Sequence, residues 1–269
     1  MTLAWIGALA IGLSLGLLGS GGSILTVPVL IYLVGQDEKT AIAGSLFIVG
    51  AIAAGGGLQF AVQRVVSWRS VALFGLPSMV GTYAGAWLGG LVSGTVQLAV
   101  FATVMLLAAG LMFQPPALDA GPRTARAAWK VVLDGLAVGV LTGLVGVGGG
   151  FLIVPALVLL GGLPMHLAIG TSLVIIALKS FTGFFKYLEV LERLDLSLDW
   201  NPLLVIAAVG LAGSFVGRSI GKRVSQRNLR RVFAAFLVAI GLLILGQTLP
   251  ELIPSRPAGT SVDVGVSHL

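Results

Sequence analysis

Cysteine is missing from the sequence, and charged residues make up only 10% of its 269 positions. The absence of thiols excludes disulfides, thiolate metal sites and thiol catalysis. The two histidines, His166 and His268, lie far apart along the chain, so a histidine-based metal site is not expected. Soluble domains carry about 25% charged residues. This chain therefore has too little polar surface to cover a water-soluble body.

Apolar residues account for 57% of the chain, and its mean hydropathy is +1.06. Apolar runs of about 20 residues recur along it, which is the length that crosses a hydrocarbon core of about 30 Å. These features predict an all-α polytopic protein of the bacterial cell (plasma) membrane, that is, the inner membrane. We expect the net charge of +6 to lie in loops beside the lipid bilayer and not to bind nucleic acid. Homo-oligomerisation is left open.

The chain contains an internal duplication. Residues 9–60 align without a gap on residues 136–187, and 20 of the 52 pairs are identical. The predicted division is a first membrane repeat at 1–113, a linker at 114–128, a second membrane repeat at 129–249 and a disordered polar tail at 250–269. Each repeat is predicted to hold four apolar pieces: 3–34, 40–62, 68–91 and 94–113, then 129–161, 165–187, 200–221 and 228–247.

A glycine-broken phrase occurs once in each repeat, as "GSGGSILTVPVL" at 19–30 and "GVGGGFLIVPAL" at 146–157. An unbroken helix over 3–34 would be about 48 Å long at 1.5 Å per residue, which overshoots the hydrocarbon core. Closely spaced glycines let the chain unwind there. We expect Pro28 to lie in the first turn of the helix that follows, where its missing N–H costs little. Each first piece is thus two helical arms joined by a non-helical tip.

Positive charge in the loops favours a re-entrant hairpin over a single bent crossing for these first pieces. With hairpins, eleven Lys and Arg residues fall on one face and four on the other, in keeping with the positive-inside rule. With single crossings the charges divide almost evenly. Three full crossings per half make the repeats inverted, a construction common in secondary transporters. Both termini are then predicted outside the cytoplasm.

Two unwound tips near the bilayer midplane are predicted to bind an anion, because they present unpaired N–H groups and the positive ends of short helices. No charged side chain is required for such a site. The alternative is that the glycines only permit close helix packing. The candidate substrate-binding residues in the tips and at the start of the following helices are Ser20, Gly21, Gly22, Ser23, Thr26, Ser45, Val147, Gly148, Gly149, Gly150, Thr171 and Ser172.

Lys179 completes the candidate set, because it lies well inside an apolar segment. A cation at the bilayer centre costs at least about 2.5 kcal/mol, and such residues usually mark a pathway or a partner. Its counterpart in the first repeat is Ile52, so the repeat itself does not require a lysine. An anionic substrate would pair with the ammonium. The alternatives are snorkelling toward a water-filled crevice and a salt bridge with Asp134.

The glycine phrase followed by Val-Pro, its repetition, and the later "AIGTSL" at 168–173 resemble the TauE/SafE sulfite-exporter family of membrane permeases. The resemblance covers the chain apart from the linker and tail. The first half departs from the pattern, reading "GSGGS" and "IAGSL" with Ser23 and the pair Ala43-Gly44. The resemblance implies transport, often export, of sulfite, organosulfonates or related small sulfur or carboxylate anions.

The residues therefore predict a secondary transporter of a small anion, coupled to protons or driven by the anion's own gradient. A passive anion channel is the alternative. A membrane enzyme or an assembly scaffold is disfavoured, because the chain lacks cysteine, clustered histidine and paired intramembrane carboxylates. No catalytic residue, metal or cofactor is expected.

Overall fold

The computed structural model describes residues 7, 9–13, 23–113, 127–160, 162–221, 234–235 and 238–248. Its helices are α1 (Ser23–Val34), α2 (Glu38–Val62), α3 (Trp68–Leu91), α4 (Gly94–Phe113), α5 (Ala128–Val145), α6 (Gly150–Pro155, continued by Ala156–Leu160), α7 (Met165–Arg193), α8 (Trp200–Gly221) and α9 (Val238–Thr248). The described residues outside these elements are loops, a helical segment at 9–13 and the helical residues 7 and 234–235. Ser20, Gly21, Gly22 and the predicted tail lie outside the described residues, as does nearly all of the linker.

Five of these helices, α2, α3, α5, α7 and α8, are long and apolar enough to cross a membrane. The chain is thus an all-helical, multi-pass membrane protein over the part that the structure describes. The predicted bounds of α3, α4 and α8 agree with the structure. Helix α2 begins two residues earlier than predicted, because Asp37 is its N-cap and accepts a 3.0 Å hydrogen bond from the Lys39 N–H.

The prediction that the apolar helical piece of α7 ends at 187 is wrong. The helix runs on to Arg193. Lys186 is buried: its ammonium lies 4.9 Å from the centre of the Tyr83 ring and pairs with the carboxylate of Glu189. A cation over an aromatic face and an ion pair one turn apart both favour continued helix there.

Helices α2 and α7 form the centre of the bundle and run antiparallel. Gly50 of α2 lies against Ser180 of α7. Seven residues later, Gly57 lies against Val174. The contacts therefore advance along one helix while they retreat along the other. Buried apolar side chains of these two helices belong to the two clusters that make up the core.

Helices α3 and α8 each pack in parallel against a neighbouring element at a row of glycines. Along α3, Gly81 lies against the α5 backbone at Gly139, and Gly85 lies against it at Val140. On α8, Gly213 and Gly217 meet the segment at 9–13 in the same way. A Cβ at Gly85 would collide with a carbonyl of α5, so the two backbones are in direct contact there. Small residues allow this close approach in membranes.

Further contacts at glycines fix the relative directions of the five membrane-crossing helices. Gly75 and Gly90 of α3 face successive positions of α7, so α3 runs parallel to α7. Gly44 and Gly55 of α2 face successive positions of α8, so these two helices are also parallel. Helices α3, α5 and α7 therefore run one way. Helices α2 and α8 and the segment at 9–13 run the opposite way.

Candidate functional site

The glycine phrase of the second repeat interrupts the helix, as the sequence predicts. Helix α5 ends at Val145, and the next residue, Gly146, adopts a left-handed conformation with φ of 71°. Its N–H donates to the Gly143 carbonyl at 3.3 Å, and the Val147 N–H donates to the Thr142 carbonyl at 3.1 Å. These two bonds close the helix end in the manner of a Schellman motif. The chain through Gly148 is consequently not a continuous helix.

After the break the chain turns back along α2. Gly146 lies against Ile42, near the start of α2, whereas Gly148 lies against Val49, two turns further along. Helix α5 runs opposite to α2, so this step along α2 is a reversal. Gly149, with φ of 65°, then caps α6, and its carbonyl accepts hydrogen bonds from the N–H groups of the first turn of that helix.

The expectation that proline occupies the first turn after the break is wrong. Pro155 is the sixth residue of α6, and Pro28 has the equivalent place in α1. In both helices the winding changes to a π-helix at the next residue. Proline lacks an N–H and its ring crowds the preceding turn. The wider π-helical turn accommodates both the missing hydrogen bond and the bulk of the ring.

Lys179 lies beside this break and is buried, with 1% of its surface exposed. Its ammonium donates a hydrogen bond to the hydroxyl of Thr142, one turn before the end of α5. The Thr142 hydroxyl in turn donates to the Val138 carbonyl at 2.7 Å. A Cβ at Gly149 would lie 2.6 Å from the lysine Nζ, so only glycine leaves room for the ammonium. The sequence did not identify Thr142, whose counterpart in the first repeat is Leu15.

The contacts of Lys179 do not support a salt bridge with Asp134. The hydrogen bond that the structure gives the ammonium goes to Thr142. Asp134 lies eight residues earlier on α5, which is about 12 Å at 1.5 Å per residue. An ammonium has three N–H donors. Two of them have no partner among the residues that the structure describes.

Ser180 is a second residue of this site that the sequence analysis missed. Its side chain is wholly buried, and its hydroxyl has no hydrogen-bond partner in the described part of the chain. The hydroxyl oxygen would lie 3.3 Å from a Cβ at Gly148. Ser180 therefore faces the glycine break beside Lys179. A buried polar group without a partner costs about 1–3 kcal/mol, so its presence here calls for an explanation.

The predicted hydroxyl residues do not all meet at the break. Ser45 reaches it, because its hydroxyl donates to the carbonyl of Gly146. Thr171 does not: its hydroxyl accepts a 2.9 Å hydrogen bond from the Ser67 N–H, in the loop before α3. Ser172 donates to the Ile169 carbonyl of its own helix at 2.8 Å. Ser172 is the counterpart of Ser45. The glycine tip of the first repeat, which Ser172 would meet by analogy, lies outside the described residues.

The remaining predicted residues are buried around the two short helices. Val147 is buried between the glycines of the break, and Gly150 is the first residue of α6. In the first repeat, Ser23 and Thr26 are buried in α1, and the hydroxyl of Thr26 has no partner in the described part of the structure. Helices α1 and α6 are in contact, so the two glycine-broken pieces approach each other.

A polar network joins the start of α2 to the C-terminus of α3, to α4 and to α7. The ammonium of Lys39 donates to the Val92 carbonyl at 2.6 Å and also to the Gly89 carbonyl, at the C-terminus of α3. It donates as well to the side chain of Gln97, which hydrogen-bonds Tyr187 at 2.6 Å. A cation at a helix C-terminus is favourable because of the partial negative charge there. Lys39 is therefore occupied by structural contacts.

Sequence comparison finds a protein family and several relatives that are similar to this chain. The family described as "Sulfite exporter TauE/SafE" matches residues 4–244. A "Probable membrane transporter protein" of Xylella fastidiosa is 32% identical over 250 residues, covering 90% of this chain and 94% of the relative. A relative with the same description from Methanocaldococcus jannaschii is 25% identical, with 87% and 93% coverage. One from Bacillus subtilis is 27% identical, with 85% and 91% coverage. No solved structure matches.

Proposed function

Because the chain belongs to the sulfite exporter TauE/SafE family and is a multi-pass membrane transporter, we propose that it is a secondary transporter of a small anion that binds at the glycine break beside Lys179. The proposed substrates are sulfite, an organosulfonate or a related sulfur or carboxylate anion. The sulfur chemistry comes from the family alone. The anionic character is supported by the residues around the break.

The buried ammonium of Lys179 is the observation that carries the proposal. It lies midway along α7, and it donates a hydrogen bond to the neutral hydroxyl of Thr142. A lysine held away from water without a carboxylate is costly, and such residues in membrane proteins mark substrate pathways. A bound anion would offset that cost. The first N–H groups of α6 point away from their own helix toward the same break, and this favours negative charge there as well.

The helix directions support inverted repeats with re-entrant first pieces. Under the duplication, α2 corresponds to α7, α3 to α8, and the segment at 9–13 to α5. The members of each pair run in opposite directions, as inversion requires. The reversal of the chain between Gly146 and Gly148 is what a hairpin would produce. Inverted repeats with broken helices typically place the substrate near the midplane, at the repeat interface.

Transport by the purified protein in vesicles tests the proposal. Proteoliposomes preloaded with sulfite, methanesulfonate or acetate are diluted into the labelled anion, and uptake is followed by counterflow. Lys179→Met removes the ammonium and keeps a side chain of similar length. We expect it to lower the rate at least tenfold, whereas Lys130→Met, at an exposed lysine at the start of α5, leaves the rate unchanged.

Two outcomes would contradict the proposal. Wild-type uptake rates in the Lys179→Met variant would show that the ammonium does not serve transport. If wild-type vesicles exchange none of the three anions, anion transport as a whole is contradicted. Accumulation against an imposed gradient, measured in the same vesicles, separates a coupled transporter from a passive channel.

A further inference from the structure

The groups that surround the glycine break carry a single charge. Residues 1–36 contain no Lys, Arg, His, Asp or Glu, so the broken piece of the first repeat brings no charged side chain to the site. The same holds for residues 135–165, which include the second break and α6. The ammonium of Lys179 is thus the charged group at the break among the described residues, and its described neighbours are hydroxyls and backbone.

The other buried lysines of the membrane-crossing helices are already engaged. Lys39 donates to the carbonyls of Gly89 and Val92 and to Gln97. Lys186 pairs with Glu189. Neither contact involves the break. A second negative charge on a ligand at Lys179 would therefore find no second cation among the described residues.

Among the buried serines of the long helices, Ser180 and Ser78 have hydroxyls without a partner in the described part of the chain, and of these two Ser180 is the one that lies against the glycine break. Ser172 and Ser214 each donate a hydrogen bond to a carbonyl three residues earlier in their own helix, and Ser45 donates to the carbonyl of Gly146. The Ser180 hydroxyl makes no such bond, although it is wholly buried. It faces Gly148 instead. A ligand oxygen at the break would give this hydroxyl the partner that it lacks.

We infer, on the basis of the proposed anion transport, that the break selects singly charged oxyanions over doubly charged ones, with Lys179 balancing the charge and Ser180 donating to a second oxygen. One cation balances one negative charge in a buried site. An unbalanced second charge would keep its full desolvation cost. The suited ligands are a monovalent sulfonate, bisulfite or a monocarboxylate.

Methanesulfonate and sulfate form a matched pair of probes, because both present sulfur-bound oxygens and they differ in charge at pH 7.5. Thermal unfolding of the full-length protein in detergent is titrated with each anion at constant ionic strength. We expect methanesulfonate to bind at least tenfold more tightly than sulfate. Equal or tighter binding of sulfate would overturn the selectivity.

The Ser180→Ala variant tests the hydroxyl. Alanine suits the position, because Ala53 is its counterpart in the first repeat. We expect at least fivefold weaker methanesulfonate binding. Ser214→Ala, which removes another buried serine hydroxyl, is the control and should bind as wild type does. Unchanged binding in Ser180→Ala would overturn the role of that residue.

Different results would contradict anion transport and charge selectivity. If wild-type protein binds neither methanesulfonate nor sulfate, and neither bisulfite nor acetate, then the anion transport proposed above is wrong. If it binds anions but without preference for a single charge, only the selectivity is wrong. Should Ser180→Ala prove unstable without ligand, the comparison of the two probes on wild-type protein still decides the selectivity.

Discussion

Replacing Gly149 by alanine should disable the site with a larger effect than its backbone conformation alone explains. Gly149 has φ of 65°, a left-handed conformation that costs a residue with a Cβ about 1–2 kcal/mol. The same Cβ would lie 2.6 Å from the ammonium of Lys179 and would collide with the methyl group of Thr142. Either the lysine or the end of α5 must then move.

The second contribution can be estimated from the hydrogen bond between Lys179 and Thr142. A hydrogen bond to a charged group contributes about 1.5–3 kcal/mol. Together with the backbone term, the expected loss is about 2.5–5 kcal/mol in the region of the break. A displacement of the ammonium that costs 1.4 kcal/mol of substrate binding already lowers affinity about tenfold.

Gly162 provides the matched control. Its φ is 66°, nearly the same as that of Gly149, and a Cβ there would have no neighbour within 4 Å. Gly162→Ala therefore pays the conformational cost without the collision. We expect a modest drop in the midpoint of thermal unfolding for Gly162→Ala with normal anion counterflow, and a larger drop with at least tenfold slower counterflow for Gly149→Ala.

Equal effects of the two substitutions on both measurements would refute the reasoning. The collision with the lysine would then have no consequence, and the position of the ammonium beside the break would not matter for transport. Slower counterflow in Gly149→Ala with an unchanged unfolding midpoint would instead locate the whole effect in substrate binding.

Two further predictions concern packing and topology. Gly85→Ala should lower the unfolding midpoint by several degrees, because its Cβ would meet the carbonyl of Val140. A Cβ at Gly110 meets no atom within 4 Å, so Gly110→Ala should be neutral or stabilising. Equal midpoints of the two variants would contradict close packing of α3 on α5. Single cysteines replacing Ala127 and Pro164, in a chain without cysteine, should be labelled from the same side of the membrane if the first piece of the second repeat is a hairpin. Labelling from opposite sides would contradict the hairpin.

Helix bounds could be predicted where apolar runs end sharply. The bounds of α3 and α8 follow from Trp68 and Trp200 at one end and from loss of hydrophobicity at the other. The end of α7 was missed, because Lys186 looks like an interfacial residue in the sequence. Its burial depends on Tyr83, which is brought near by the packing of α3 on α7, a contact that local sequence does not encode.

The candidate site was predictable in part for similar reasons. Lys179 is conspicuous, since a cation inside an apolar run has a cost that can be read from sequence. Thr142 and Ser180 are not, because most hydroxyls in membrane helices bond to their own backbone, and only the folded contacts reveal that Ser180 does not. Thr171 was expected at the site because it lies near the start of the helix after the break, but its side chain faces the loop before α3.

The parallel seam between α3 and α5 joins an element made early in synthesis to one made after the linker. The glycine row of α3 therefore stays uncovered until the second half of the chain has entered the membrane. Close packing against backbone is the main contribution that such a row can make. We therefore expect the two halves to depend on each other for packing. A fragment stopped within residues 114–126 would lack the α5 surface against which α3 packs.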